Sequence, residues 1–198
     1  MTRFSISLLP WLVAACGSDV VPPEPDAPAC TTTVCGDTCC TAAADCTAGA
    51  CACPASFVPA TPAFVTGVVV DNLPQAPGLY AAIGQFDVGE QRHALLVAYD
   101  PATVPLATDI DVASVENVKM GVGYEVDPTK NIRSSYRVTR GTLRLTSACP
   151  EGVAGTLDDA ELVEIDIFAS LDPIPGGCTF ALPSLSFALA ATCEEPAP

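Results

Sequence analysis

The hydrophobic residues of this chain fall into short runs separated by turn residues, and most of these runs lie after residue 62. The runs are rich in Val, Leu, Ile, Tyr and Thr, which favour strands, and helical periodicity is scarce. They cover 64–70, 79–86, 93–99, 115–126, 136–146, 162–168 and 179–188. The pattern predicts a mainly β protein whose residues 63–198 form an antiparallel β-sandwich or barrel of about 7–8 strands.

Apolar and acidic residues alternate strictly in the run 163–167. Val163, Ile165 and Ile167 occupy every second position, and Glu164 and Asp166 stand between them. Because successive side chains of a strand point to opposite faces, the three apolar residues are expected in the core and the two acids in solvent.

Two short polar segments predict turns between neighbouring strands. Asp87-Val88-Gly89-Glu90 joins two β runs, and Pro150-Glu151-Gly152 joins two others. Both are expected to connect adjacent antiparallel strands.

Four segments of different composition precede the β region. Residues 1–15 read as a signal peptide, and residues 16–29 as a proline-rich tether. Residues 30–53 form a cysteine-rich module, and the prolines of 54–62 indicate a short linker. The chain is thus expected to place a small disulfide-rich module before the β domain.

The chain has 11 cysteines, a number typical of exported proteins whose small domains are stapled by disulfides. Little apolar material accompanies those of the module, so covalent bonds are expected to hold it together. A metal site is the alternative for such clusters, but the C-x2-C pairs and histidines typical of zinc sites are missing. The expected disulfide-forming residues are Cys30, Cys35, Cys39, Cys40, Cys46, Cys51, Cys53, Cys149, Cys178 and Cys193.

The N-terminus resembles a bacterial lipoprotein signal. Arg3 precedes an apolar run, and Val13-Ala14-Ala15-Cys16 matches the lipobox pattern. The resemblance implies cleavage before Cys16 and acylation of that residue, which would anchor the chain to a membrane. No aspartate directly follows Cys16, so the resemblance favours the outer membrane or cell surface. An ordinary secretory signal cut near Ala15 is the alternative.

The module's cysteine order resembles that of inhibitor-knot miniproteins. That resemblance implies the pairs Cys30–Cys40, Cys35–Cys46 and Cys39–Cys51, although six cysteines allow 15 connectivities.

Without Cys16 the module holds seven cysteines and the β domain three, so full pairing requires at least one disulfide between them. One allocation joins Cys149 to Cys178 and Cys53 to Cys193. Parity requires a crossing bond but does not determine the individual pairs.

The formal net charge of -15 argues against nucleic-acid binding. Five of the eight basic residues are nevertheless clustered, and they form a candidate anion-binding patch for lipid headgroups or acidic glycans. The favoured alternative is a solvated strand edge that discourages association between sheets. The five are Lys130, Arg133, Arg137, Arg140 and Arg144.

No residue pattern predicts catalysis, a cofactor or a metal site. The single histidine, His93, is expected to be solvated at a strand edge. The pair Asp109 and Asp111 and the group Asp158, Asp159 and Glu161 are expected to be solvated turn acids, since neither fits an EF-hand loop.

The whole plan resembles uncharacterised cysteine-rich surface lipoproteins of myxobacterial type, and this likeness implies binding or an envelope-structural role. We therefore expect a non-enzymatic protein of the cell envelope that binds an extracellular protein or glycan. A calcium-assisted surface hydrolase that uses the acids of 158–161 is the alternative.

Overall fold

A computed structural model describes residues 34–35, 38–73, 76–129, 131–167 and 171–190. These residues contain twelve strands and no helix, so the protein is mainly β, as predicted. The strands are β1 (Val34–Cys35), β2 (Thr38–Cys39), β3 (Asp45–Thr47), β4 (Ala50–Ala52), β5 (Phe64–Leu73), β6 (Ala76–Val88), β7 (Gln91–Tyr99), β8 (Asp109–Asp111), β9 (Val118–Val126), β10 (Ile132–Cys149), β11 (Gly152–Ile165) and β12 (Thr179–Ala190).

Eight strands form one continuous antiparallel sheet in the order β12-β11-β10-β9-β7-β6-β5, with β8 paired beside β10. The described strands after residue 63 therefore form one antiparallel β domain of eight strands, in agreement with the prediction. The cysteine-rich module contributes two small sheets, β1 with β2 and β3 with β4.

Both predicted turns connect adjacent strands. Val88 pairs with Gln91, so only Gly89 and Glu90 separate β6 from β7. Gly89 has a φ of +62°, a conformation that glycine adopts without steric cost. Cys149 pairs with Gly152 in the same way, across Pro150 and Glu151.

The sheet curls until its first and last strands meet. A side-chain carbon at Gly67 of β5 would lie only 3.0 Å from the backbone nitrogen of Ala190 in β12. Breaks in the register between β10 and β11 flank Gly141, as at a β-bulge, and bulges increase the local bend and twist of a sheet. The concave side of the sheet encloses the hydrophobic core, which includes Leu95 and Leu162 at 0% exposure.

The basic run lies in the middle of this sheet. β10 pairs with β11 on one side and with β9 and β8 on the other. The expectation that this run marks a sheet edge is therefore wrong.

Two disulfides lie within the described part of the module. Cys35 bonds to Cys46, a pair that the inhibitor-knot resemblance implies. Cys40 bonds to Cys51, so the implied pairs Cys30–Cys40 and Cys39–Cys51 are wrong.

A third disulfide, Cys53–Cys178, joins the module to the β domain, as the parity argument requires. The suggested pairs Cys53–Cys193 and Cys149–Cys178 are therefore wrong; Cys149 is also disulfide-bonded. Cys16, Cys30 and Cys193 lie outside the described residues. A bond that joins positions 125 residues apart removes much conformational freedom from the unfolded chain, a contribution of about 3–5 kcal/mol.

The segment predicted as a linker also belongs to the core. Phe57 and Val58 are 9% and 6% exposed. The Phe57 ring lies 4.7 Å from the rings of both His93 and Tyr124 and 5.2 Å from that of Phe180. Phe57 thus packs among aromatic side chains of β7, β9 and β12 and closes one end of the curled sheet.

The prediction that Glu164 faces solvent is wrong. It is 1% exposed, and each carboxylate oxygen accepts a backbone hydrogen bond. Oε1 accepts from the Ala43 N–H of the module at 3.0 Å, and Oε2 accepts from the Cys178 N–H at 2.9 Å. The module and the segment that ends at Cys178 each supply one of the hydrogen bonds that a buried carboxylate requires.

Arg133 binds the same stretch of the module. Its Nε donates to the Ala42 carbonyl at 2.9 Å and its Nη2 to the Ala44 carbonyl at 3.4 Å. The guanidinium also forms ion pairs with Asp45 and with Glu125. Arg133 and Glu164 therefore hold three consecutive module residues on the sheet.

We predict that Glu164→Gln lowers the free energy of unfolding by about 1–3 kcal/mol, because an amide turns its N–H groups toward one of the two backbone N–H donors. Urea denaturation measures the change. Glu161→Gln is the matched control on the same strand; its side chain is 44% exposed, and the change is expected within about 0.5 kcal/mol of zero. Equal effects of the two substitutions would contradict the role assigned to Glu164.

Candidate functional site

The outer face of the curled sheet carries an apolar groove of about 230 Å³. It crosses β6, β7, β9, β10 and β11 and is bordered at one side by the segment that follows β11. Its main apolar side chains are Ile83, Leu96, Ile132, Ile165, Ile167 and Leu171.

The strand register explains why these residues share one face. Ile83 pairs with Leu96, Leu96 with Gly121, and Gly121 with Arg137. Paired residues of an antiparallel sheet point to the same side, so these four form one row across the outer face. Ala98 pairs with Lys119 in the adjacent row.

Two glycines deepen the groove. A side-chain carbon at Gly121 would lie 2.9 Å from the Tyr136 carbonyl oxygen, and one at Gly123 would lie 3.2 Å from the Ile132 side chain. Larger residues would fill the floor between β7 and β10 and displace these neighbours. Glycine in a strand interior often marks such a close approach.

Two cationic side chains, Lys119 and Arg137, line the same groove. The other basic residues in the described part of the chain all form ion pairs with acids. Lys119 and Arg137 form no such pair there. Among the described residues, the positive charge without an acidic partner therefore lies in the groove.

The described arginines of the predicted anion-binding patch do not form one site, because they have different partners. Arg133 binds the module, Arg140 pairs with Glu161 at 3.3 Å, and Arg144 pairs with Asp109 at 3.0 Å. Of the four described arginines of the run, Arg137 alone lines the groove. Lys130 lies outside the described residues.

The acidic residues considered as calcium ligands are exposed or ion-paired. Asp109 pairs with Arg144, and Oδ1 of Asp111 accepts the Ala113 N–H at 3.0 Å. Asp158 and Asp159 are exposed on β11. Over the described ranges, no three His, Cys, Asp or Glu side chains are arranged to hold a metal ion.

His93 is buried, so the expectation of a solvated strand-edge histidine is wrong. It is 0% exposed, and its ring stacks on Phe57 and Tyr124. Its Nδ1 accepts the Glu125 N–H at 3.3 Å. β7 lies between β6 and β9, and Phe57 covers the imidazole, so His93 is sealed away from the groove.

Burial lowers the pKa of the His93 imidazole, although the carboxylates of Glu125 and Asp87 oppose this shift. The buried ring is therefore held in its neutral form at neutral pH, where it helps to pack the core.

Comparisons with protein-family models, curated proteins and solved structures found no match. In the described part of the chain, no helix has the length and apolar character needed to cross a membrane.

We predict that lowering the pH from about 7.5 to about 5.5 destabilises the protein through His93. Its pKa is lower in the folded than in the unfolded chain, so the unfolded chain binds more protons as the pH falls below about 6.5. The slope of unfolding free energy against pH has a limit of about 1.4 kcal/mol per pH unit for one group.

The measurement is urea denaturation at several pH values for wild type and His93→Gln. Since His93 is the only histidine, the substitution should remove most of the slope in this window while carboxylates stay ionised. An unchanged slope in the variant would contradict the assignment.

Proposed function

We propose that this protein is a lipid-anchored protein of the cell envelope that is not an enzyme and binds an apolar ligand in the outer-face groove. The groove itself carries the proposal. It combines a concave apolar surface with a few polar side chains, the usual composition of a binding site.

The groove favours binding over catalysis. Its polar side chains are those of Lys119, Ser135 and Arg137, while Tyr136 buries its ring on the other face. Neither the buried His93 nor the acids of 158–161 line it. A general base and a nucleophile held by that base are therefore missing from its lining.

The aliphatic lining favours an apolar ligand over the glycan that we considered from the sequence. Large hydrophobic side chains exposed in the described residues are valines and Leu106, with no aromatic ring to stack on a sugar. A purely structural role in the envelope is the competing outcome.

The proposed anchor is supported by the sequence. Val13-Ala14-Ala15-Cys16 matches a lipobox, and the prolines between residues 22 and 28 suit an extended tether. Disulfides at Cys35, Cys40 and Cys53 agree with export to an oxidising compartment.

The experiment uses two preparations. The unaltered chain, expressed in a bacterium that processes lipoproteins, is extracted from membranes for intact mass, and a mature chain that starts at Cys16 with added acyl mass is expected. For binding, mature residues 16–198 with Cys16→Ser are exported through a cleavable signal, which avoids detergent in the groove.

We predict that this second preparation binds the neutral fluorescent probe N-phenyl-1-naphthylamine with saturable enhancement. Leu96→Trp, which fills the groove from its floor, should weaken binding by about tenfold or more. Leu106→Trp is the matched control, because Leu106 is 48% exposed and does not line the groove. Failure of the probe to bind, or equal binding by both variants, would favour the structural role and contradict the proposal.

A further inference from the structure

We propose that the natural ligand of this groove is an anionic amphiphile with a single short acyl chain, whose head is held between Lys119 and Arg137. This inference rests on the proposed function, since it names the chemistry of the ligand at the same site.

The first argument is the distribution of charge. The described chain neutralises Arg92, Arg133, Arg140 and Arg144 with acidic partners. Lys119 and Arg137 have no acidic partner among the described residues, in a chain whose formal net charge is -15. Cations retained at an apolar groove favour a ligand that joins a negative group to an apolar body.

The second argument is the position of the two cations. Arg137 pairs with Gly121, and Lys119 stands two residues before Gly121 on the same face of β9. Residues in this diagonal relation lie about 7–8 Å apart, within reach of long side chains. Two long side chains at that spacing can reach one carboxylate from both sides, and the absence of a side chain at Gly121 leaves room between them.

The third argument is the shape of the apolar part. From Arg137 the row continues through Gly121 and Leu96 to Ile83, three inter-strand spacings or about 14 Å. The volume of about 230 Å³ is below the ~300–1,000 Å³ of sites for drug-sized ligands. The groove therefore suits one short chain and is too small for a two-chain lipid.

The net charge makes the inference easy to test. A chain with a charge of -15 should attract a cationic amphiphile and repel an anionic one if only the overall field mattered. Selection of the anionic form would therefore have to come from the local cations.

The experiment is isothermal titration calorimetry on mature residues 16–198 with Cys16→Ser. The probes are decanoate and decyltrimethylammonium, both below their micelle concentrations. We expect one decanoate per chain and an affinity about tenfold or more above that of the cation. Added salt should reduce this preference, because it screens exposed charges.

The decisive variant is Lys119→Gln with Arg137→Gln, which should lower decanoate affinity by about tenfold or more. The matched control is Arg140→Gln with Arg144→Gln, which removes two positive charges from the same strand. Those charges face Glu161 and Asp109, so decanoate affinity should stay within about twofold of the parent.

Equal affinity for the two probes, or equal effects of the two double variants, would overturn the inference. If Leu96→Trp still blocked the neutral probe, the proposed function would stand with a different ligand. If Leu96→Trp changed the binding of neither the neutral probe nor decanoate, the proposed function would fail as well.

Discussion

The structure depends on one buried carboxylate. Glu164 lies inside the curled sheet at 1% exposure, where an uncompensated negative charge would be very costly. The N–H groups of Ala43 and Cys178 provide the compensation, one for each oxygen. Satisfying Glu164 thus requires the cysteine-rich module and the segment that ends at Cys178 to meet at β11. The Cys53–Cys178 disulfide links these two segments covalently.

The segment that compensates Glu164 also contributes to the groove on the outer face of the sheet. The segment 171–177 lies beside the end of β11, with the Ile174 N–H bonded to the Glu164 carbonyl at 2.9 Å and Pro173 bridged to Ile165. Its path places Leu171 at the border of the groove. The contacts that dock the module inside therefore also shape one wall of the proposed binding site outside.

Much of the fold was predictable because it depends on local patterns. The β runs, the turn at Gly89 and the turn at Pro150 follow from propensity and turn chemistry within a few residues. The environments of Glu164 and His93 were not predictable in this way. Each is set by a distant segment, since Ala43 lies 121 residues before Glu164 and Phe57 comes from a stretch that reads as a linker.

The candidate site was predictable only in part. Arg137 was one of five residues in the predicted basic patch, but the sequence gave no reason to separate it from Arg133, whose guanidinium binds the module. Gly121 and Gly123, two glycines inside a strand, were the local signal of a groove. That Gly121 pairs with Leu96 and Arg137 follows from strand order, which the sequence pattern does not determine.

Amide hydrogen exchange at Ala43 tests most directly whether the module and the sheet form one body. If they do, the Ala43 N–H, which donates to buried Glu164, exchanges only on global unfolding and as slowly as the most protected amides of β7. Exchange at Ala43 that is orders of magnitude faster than at β7 would show that the module opens independently. That result would contradict the account.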